Sequence, residues 1–314
     1  MSRYAYCITG FARPVKVKEC IDSINKFDKS APILLFVDRA DASNDPEIVT
    51  ANRELILNCE KWKKMHLIQD FRIAHTNLIT KRTCYAALQW GMEYFEYVVL
   101  IEDDLRLISN PSFFLEAAID QMNKNSSIGM ACLYASRNHR FPGKSKFRAT
   151  KWPEMWGNLI SKTQFTEISR KIPELEQAHI RNILNTFSKF SLTWSLSKLF
   201  QDRFQNTWEF KYTKAIRSAF AWDTEWQLGL WALDKYALTP WVSLVEDTGV
   251  DFSSVSPSKG VARSLDCKFE YFLRRQNLVV CKTCETRREH QNFTLPSIFF
   301  DLPILAKMIR EGLL

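Results

Sequence analysis

The chain reads as an α/β protein built on a mostly parallel sheet flanked by helices, with a helical, aromatic lobe on one side. Two observations predict the sheet: short apolar runs alternate with amphipathic segments over residues 4–135, and two of those runs close on carboxylates. A change of pattern after about residue 150, toward aromatic and helical segments, predicts the added lobe.

Residues 4–9 are a short apolar run ending at Gly10, and residues 15–27 carry Val17, Cys20, Ile21, Ile24 and Phe27 at helical spacing. The chain therefore opens strand, loop, helix. Pro32 precedes the buried strand ILLFVD, which closes on Asp38; the turn formers DASNDP follow, then a helix over about residues 47–62. MHLIQD, residues 65–70, is expected as a third strand. Residues 77–95 read as a helix with Leu78, Cys84, Tyr85, Leu88 and Met92 on its inner side, followed by the strand YVVLI running into Glu102, Asp103 and Asp104. SNPSFFLEAAIDQM then predicts Ser109 or Asn110 as N-cap, Pro111 at the first helical position and a helix to about Met122. IGMACLYA is a further strand.

Beyond this, KWPEMWGNLISK is rich in aromatics, and Ile180, Ile183, Leu184, Phe187 and Phe190 fall in helical register within residues 174–204. The sequence divides into residues 1–150, residues 151–262 with a helical insert over about 172–218, and a basic tail 263–314 ending in an amphipathic helix.

Composition narrows the class. With 314 residues, 46% hydrophobic and 25% charged, and only 9 Gly and 11 Pro, the chain is neither disordered nor fibrous. It shows no fixed-period repeat, which excludes solenoids. The eight cysteines lack the spacing of a disulfide scaffold, which favours reduced thiols in a cytoplasmic protein. The N-terminus lacks the roughly 7–15-residue apolar stretch of a signal peptide. No apolar run approaches the roughly 20 residues that span a bilayer, so any membrane contact is peripheral, on an anionic surface. A net charge of +8 favours an anionic partner, whether nucleic acid, acidic lipid headgroups or a phosphorylated small molecule.

Two motifs carry chemistry. Glu102, Asp103 and Asp104 follow an apolar strand directly. Three adjacent carboxylates repel one another, and a hard divalent cation such as Mn²⁺ or Mg²⁺ is a natural counter-charge that also bridges phosphates; the alternative is a solvated acidic turn. In open α/β sheets ligands bind beyond the carboxyl ends of strands, where Asp38 and this triplet are expected. In FAWDTEW, Asp223 and Glu225 lie among Trp222, Trp226 and Trp231. Aromatic walls desolvate a carboxylate toward a general base and offer flat faces to a sugar ring; a buried structural carboxylate is the alternative.

The segment YVVLIEDDLRLISNPSFFLEAAID resembles the metal-binding strand and following helix of N-acetylglucosaminyltransferase I and related bacterial sugar transferases. EMWGNLISKTQF resembles their Gly-Trp segment, and FAWDTEWQLGLWALDKYALTPWVSLVEDTGVD their catalytic Trp-Asp segment and terminal loop. The resemblance implies a GT-A (Rossmann-like) fold and a metal-dependent, inverting glycosyltransferase of the hexosyl- or N-acetylhexosaminyltransferase class. It would use Mn²⁺ or Mg²⁺ and a nucleotide-sugar donor, a UDP-sugar foremost, with a glycan or glycolipid hydroxyl as acceptor. It further implies Asp104 as metal ligand, Glu102 and Asp103 as supports around donor ribose and phosphate, and Asp223 as base with Glu225 its rival. Asp38 would read the uracil ring, Arg13 the diphosphate, and Lys81 or Arg82 a second donor contact. WDTEW departs by one residue from the family's adjacent-carboxylate form, which leaves the choice of base open.

Other readings compete. Cys281 and Cys284 form a lone CxxC that zinc would need to complete with His290 and a distant ligand. The basic residues from Arg263 to Arg288 suggest a nucleic-acid binder, against which stand the acidic cluster and the missing fold signatures; no nucleic-acid partner is expected. A catalytically inactive sugar-binding module of the same fold is a third reading.

Overall fold

β1 (Tyr4–Gly10) is buried at every position. The computed structural model describes residues 2–135, 148–150, 153, 155–177, 222–240 and 242–248. After β1, Pro14 supplies a preset φ for the first turn of α1 (Pro14–Phe27), which leads to β2 (Ile33–Val37). Asp45 caps α2 (Pro46–Lys64) by accepting from the Glu47 N–H at 2.9 Å, and β3 (Asp70–Ile73) follows. α3 (Ile79–Tyr94), β4 (Tyr97–Glu102), β5 (Leu105–Leu107), α4 (Ser112–Lys124) and β6 (Ile128–Cys132) complete the first stretch. α4 starts at Ser112 with Pro111 at its N-cap, later than the expected Ser109 or Asn110 cap, although Asn110 Oδ1 still accepts from the Ser112 N–H at 2.9 Å. β7 (Arg148–Thr150), β8 (Asn158–Ser161), α5 (Lys162–Gln177), α6 (Trp222–Ala232), β9 (Tyr236–Thr239) and β10 (Val245–Asp247) follow.

Eight strands form one sheet in the order β3-β2-β1-β4-β8-β6-β9-β7, and β10 pairs with β5 in a two-stranded ribbon. β3, β2, β1 and β4 run parallel, as do β6 and β9. β8 runs antiparallel between β4 and β6, and β7 is antiparallel to β9. The architecture is a mixed, Rossmann-like α/β fold. From β1 the chain steps outward through β2 to β3, then returns to place β4 on the other side of β1. The crevice beyond the carboxyl ends of β1 and β4 is thus a topological switch point, where loops diverge and leave room for a ligand.

Successive residues of the central strands face opposite cores. Tyr6, Ile8, Val99 and Ile101 pack with α1, α2 and α4, whereas Cys7, Val98 and Leu100 pack with α3, α5 and α6 around Trp90 and Trp226. Each such side chain contributes ~1.5–3 kcal/mol on burial, so both faces of the sheet must be covered.

The third strand departs from expectation. MHLIQD does not form it: α2 persists to Lys64, Met65 closes the helix, and His66 turns the chain at φ 55°, so pairing begins only at Asp70. Ile68 still reaches the core, which explains its apolar character without a strand. The antiparallel β8 and the β5–β10 ribbon were not among the expected strands. Strands from both sides of residue 150 share the one sheet, so that position is a change of sequence character within a continuous core. The expected insert beyond residue 177 up to residue 218, the tail 263–314 and the CxxC lie outside the described residues.

Cys7, Cys20, Cys59, Cys84 and Cys132 are buried, and desolvation pushes the thiols of Cys7, Cys20, Cys59 and Cys84 up, Cys59 to about 12. Among the described residues no helix is long and apolar enough to cross a membrane.

Candidate functional site

The parallel register sets Thr9 of β1 beside Glu102 of β4, so the loops leaving both strands meet at the switch point. Arg13 stands in the turn between β1 and α1. Its Nε donates to Asp103 Oδ2 at 3.2 Å, one terminal nitrogen donates to Asp103 Oδ1, and both terminal nitrogens reach Asp104 Oδ2 at 3.3 and 3.4 Å. Asp103 is 5% exposed and both its oxygens face this fork, a geometry only arginine provides. The ribbon of β5 and β10 carries Thr248 to the same turn, where its N–H and hydroxyl donate to the Asp104 carbonyl at 2.7 and 2.9 Å. Lys16, in the first turns of α1, donates to the Thr248 carbonyl at 3.2 Å.

The acidic turn is electrostatically strained. Burial pushes the Glu102 carboxyl up to about 8, reinforced by Asp104 and Asp223 and opposed by a hydrogen bond from Trp222. Burial also pushes Asp103 up to about 6 despite the facing Arg13.

α6 approaches from the other side. The Trp222 indole Nε1 donates to Glu102 Oε1 at 3.0 Å, so its first turn is fastened to the end of β4 although 120 residues separate the two positions. Asp223 is the next residue, exposed, with Oδ1 accepting from the Thr224 N–H at 2.7 Å. Glu225, by contrast, is 1% exposed and lies 2.5 Å from Lys81 Nζ of α3. The pair is in charge contact without hydrogen-bond alignment, since neither Glu225 oxygen has a hydrogen-bond partner. The next residue, Trp226, stacks on Phe165 of α5 at 6.1 Å and 24° and lies 6.1 Å from Tyr85 of α3.

The structure thus gathers Arg13, Glu102, Asp103, Asp104, Trp222 and Asp223 at one crevice. Lys81 and Glu225 lie behind it as an inter-helix pair. Asp38 ends β2 buried, with Oδ1 accepting from the N–H groups of Arg39 (2.9 Å) and Leu78 (2.8 Å) and Oδ2 from that of Ile79 (3.0 Å). Arg82 is exposed on α3. Sequence reasoning missed Thr248 and Lys16. The segment VED before Thr248 has one buried apolar residue followed by two exposed acids, so it carries no alternation that would mark it as a strand.

Among the described residues no set of three or more His, Cys, Asp or Glu side chains is arranged to hold a metal ion. The donor set at the crevice is nevertheless the hard-oxygen kind, and a guanidinium cation already bridges Asp103 and Asp104. Mg²⁺ and Mn²⁺ commonly use one or two carboxylates, with phosphate and water oxygens completing the shell. Carboxylates of this kind could hold a cation that arrives with a phosphate ligand, and Asp104 is the more exposed of the pair that Arg13 bridges.

No protein-family model matches the chain, and no curated protein matches it. Among solved structures it is similar to S. aureus TarS 1–349, with a TM-score of 0.35 and 14% identity over 51% of this chain and 47% of that one. It is also similar to S. aureus TarS, with a TM-score of 0.37 and 13% identity over 55% of this chain and 30% of that one. The chain spans less than half the length of either. The resemblance to N-acetylglucosaminyltransferase I rests on the sequence motifs alone.

Proposed function

We propose that the protein is a cation-dependent glycosyltransferase that moves a sugar from a nucleoside diphosphate to an acceptor hydroxyl. The observation that carries this reading is the Trp222–Glu102 hydrogen bond, 3.0 Å long, which sets Asp223 beside the acidic turn at the β1–β4 switch point. A cation anchored by Asp104 would supply positive charge to the departing diphosphate. Arg13 binds the phosphates from the β1 side, where the positive end of the α1 dipole also favours an anion. Trp222 excludes water from one wall and holds the Glu102 carboxyl in place. Asp223, exposed in the first turn of α6, accepts the proton from the acceptor hydroxyl at its carboxylate, which suits a single in-line displacement with inversion. Glu225, buried against Lys81, cannot meet an acceptor, so we assign the base to Asp223. Asp38 holds the loop entering α3 rather than a nucleobase, because its oxygens are spent on three backbone N–H groups.

Thermal shift with UDP tests the core of this reading. UDP should raise the melting temperature only with Mn²⁺ or Mg²⁺, by an amount equivalent to ~3 kcal/mol at a hundredfold excess over Kd, and Asp104→Ala should remove the effect. Equal stabilisation with and without cation would sink the proposal. A panel of nucleotide sugars screened for cation-dependent hydrolysis then names the donor without knowledge of the acceptor. Asp223→Asn should lower that turnover roughly 10²–10⁴-fold with donor binding retained; near-wild-type turnover would move the base elsewhere.

A further inference from the structure

We propose that Arg13 is a built-in counter-ion that must leave Asp104 before a divalent cation can bind, so that cation and nucleoside diphosphate enter as a coupled pair. This rests on the reading of Asp104 as the cation's anchor. The Arg13 fork grips buried Asp103 through two nitrogens and extends to Asp104 Oδ2 at 3.3 and 3.4 Å. A second cation on that oxygen would meet the guanidinium at close range in a half-desolvated crevice, where like charges repel strongly. The two groups are held unequally. Asp103 is 6% exposed at its side chain, whereas Asp104 at 25% and Arg13 at 26% are both partly open to solvent.

What would receive the displaced guanidinium is an anion with paired oxygens. A diphosphate over the N-terminus of α1 offers these to Arg13 in the bidentate geometry it now gives Asp103. Either ligand alone leaves charge uncompensated: the cation strands Arg13, and the diphosphate faces the carboxylates of Asp103 and Asp104. Together they exchange partners, which is positive coupling between two sites.

The test titrates Mn²⁺ alone, by calorimetry or by the spin signal of free Mn²⁺, into the wild type and Arg13→Met, and then UDP at saturating Mn²⁺. Arg13→Met should bind Mn²⁺ on the order of 10-fold tighter than the wild type, within the usual range of coupling, and UDP on the order of 10-fold weaker. Structural damage would weaken both, so the opposite signs are diagnostic. Should Arg13→Met fail to fold, Arg13→Lys carries the comparison, with the same signs and smaller changes, because a point charge replaces the fork. Unchanged or weaker Mn²⁺ binding in these variants, with Asp104→Asn abolishing Mn²⁺ binding in the wild-type background, overturns the role of Arg13 alone. Binding that Asp104→Asn leaves intact, or none even with UDP present, overturns the cation reading and this inference with it.

Discussion

At the tip of β4, Glu102 keeps its proton in the folded protein up to about pH 8, whereas an unfolded glutamate loses it near pH ~4.3. Between those values the folded state binds more protons than the unfolded state, so stability falls as pH rises through that window and is full below it. Asp103, pushed up to about 6, adds a contribution of the same sign over a narrower range. Melting curves of the ligand-free protein should therefore decline from pH 5 to pH 8, and Glu102→Gln should flatten the decline; a parallel decline in the variant would refute the assignment. Ile79 poses a different local problem. It enters α3 at φ 62°, a left-handed conformation that is unfavourable for a β-branched side chain by ~1–2 kcal/mol. The Asp38 carboxylate holds it there through the Leu78 and Ile79 N–H groups. Ile79→Asn should raise stability by about 1 kcal/mol in denaturant titration, while Asp38→Ala, which orphans those amides, should lower it by about 1–3 kcal/mol.

Among elements, α6 decides whether the crevice has a second wall, and its seat follows from spacing. Trp222, Glu225 and Trp226 recur at i, i+3 and i+4 and so share one helix face, while Lys81 and Tyr85 are spaced i, i+4 along α3. Polar and aromatic contacts thereby fix both tilt and rotation of α6. Breaking the buried pair should be costly: Lys81→Met is expected to destabilise by roughly 3 kcal/mol, and Lys81→Met with Glu225→Gln by less than the sum of the two single changes. Additive effects in that cycle would show that the two charges do not depend on one another. Gly229 lets α6 lie against α5, because a Cβ there would fall 2.6 Å from Ile168 Cγ2. Gly229→Ala should destabilise by ~1–3 kcal/mol, and trimming the neighbour with Ile168→Val should recover part of the loss.

Over the whole molecule, stability should be graded outward from the sheet centre. β1 is paired on both sides, with β2 and β4, and buried on both faces, whereas the β5–β10 ribbon has two short strands that among the described residues pair only with each other. Amide exchange is expected to be slowest in β1 and β4 and much faster in the ribbon, which carries Thr248 to the acidic turn. UDP with Mn²⁺ should slow the ribbon selectively if the turn is where they bind. Ribbon exchange as slow as that of β1 before any ligand is added would contradict this gradation.

What the sequence determined by itself was local: which runs are strands, which faces of helices are apolar, and which carboxylates stand at strand ends. Periodicity and end signals place β1, β2, β4, α1 and α4 within a few residues, because burial and capping impose patterns that neighbouring residues record. β3 escaped because the apolar Leu67 and Ile68 are buried by a turn rather than a strand, and pattern alone does not separate the two. The acidic triplet and the Trp-Asp segment were each visible, and the resemblance joined them in one site, but the Trp222–Glu102 hydrogen bond that links them across 120 residues was not. Nor could sequence say that Lys81 meets Glu225, that Asp38 is consumed by backbone amides, or that Arg13 already neutralises the acidic turn. These are pairings between distant positions, and only the packing of the sheet and its helices brings the partners within reach of a hydrogen bond or a charge.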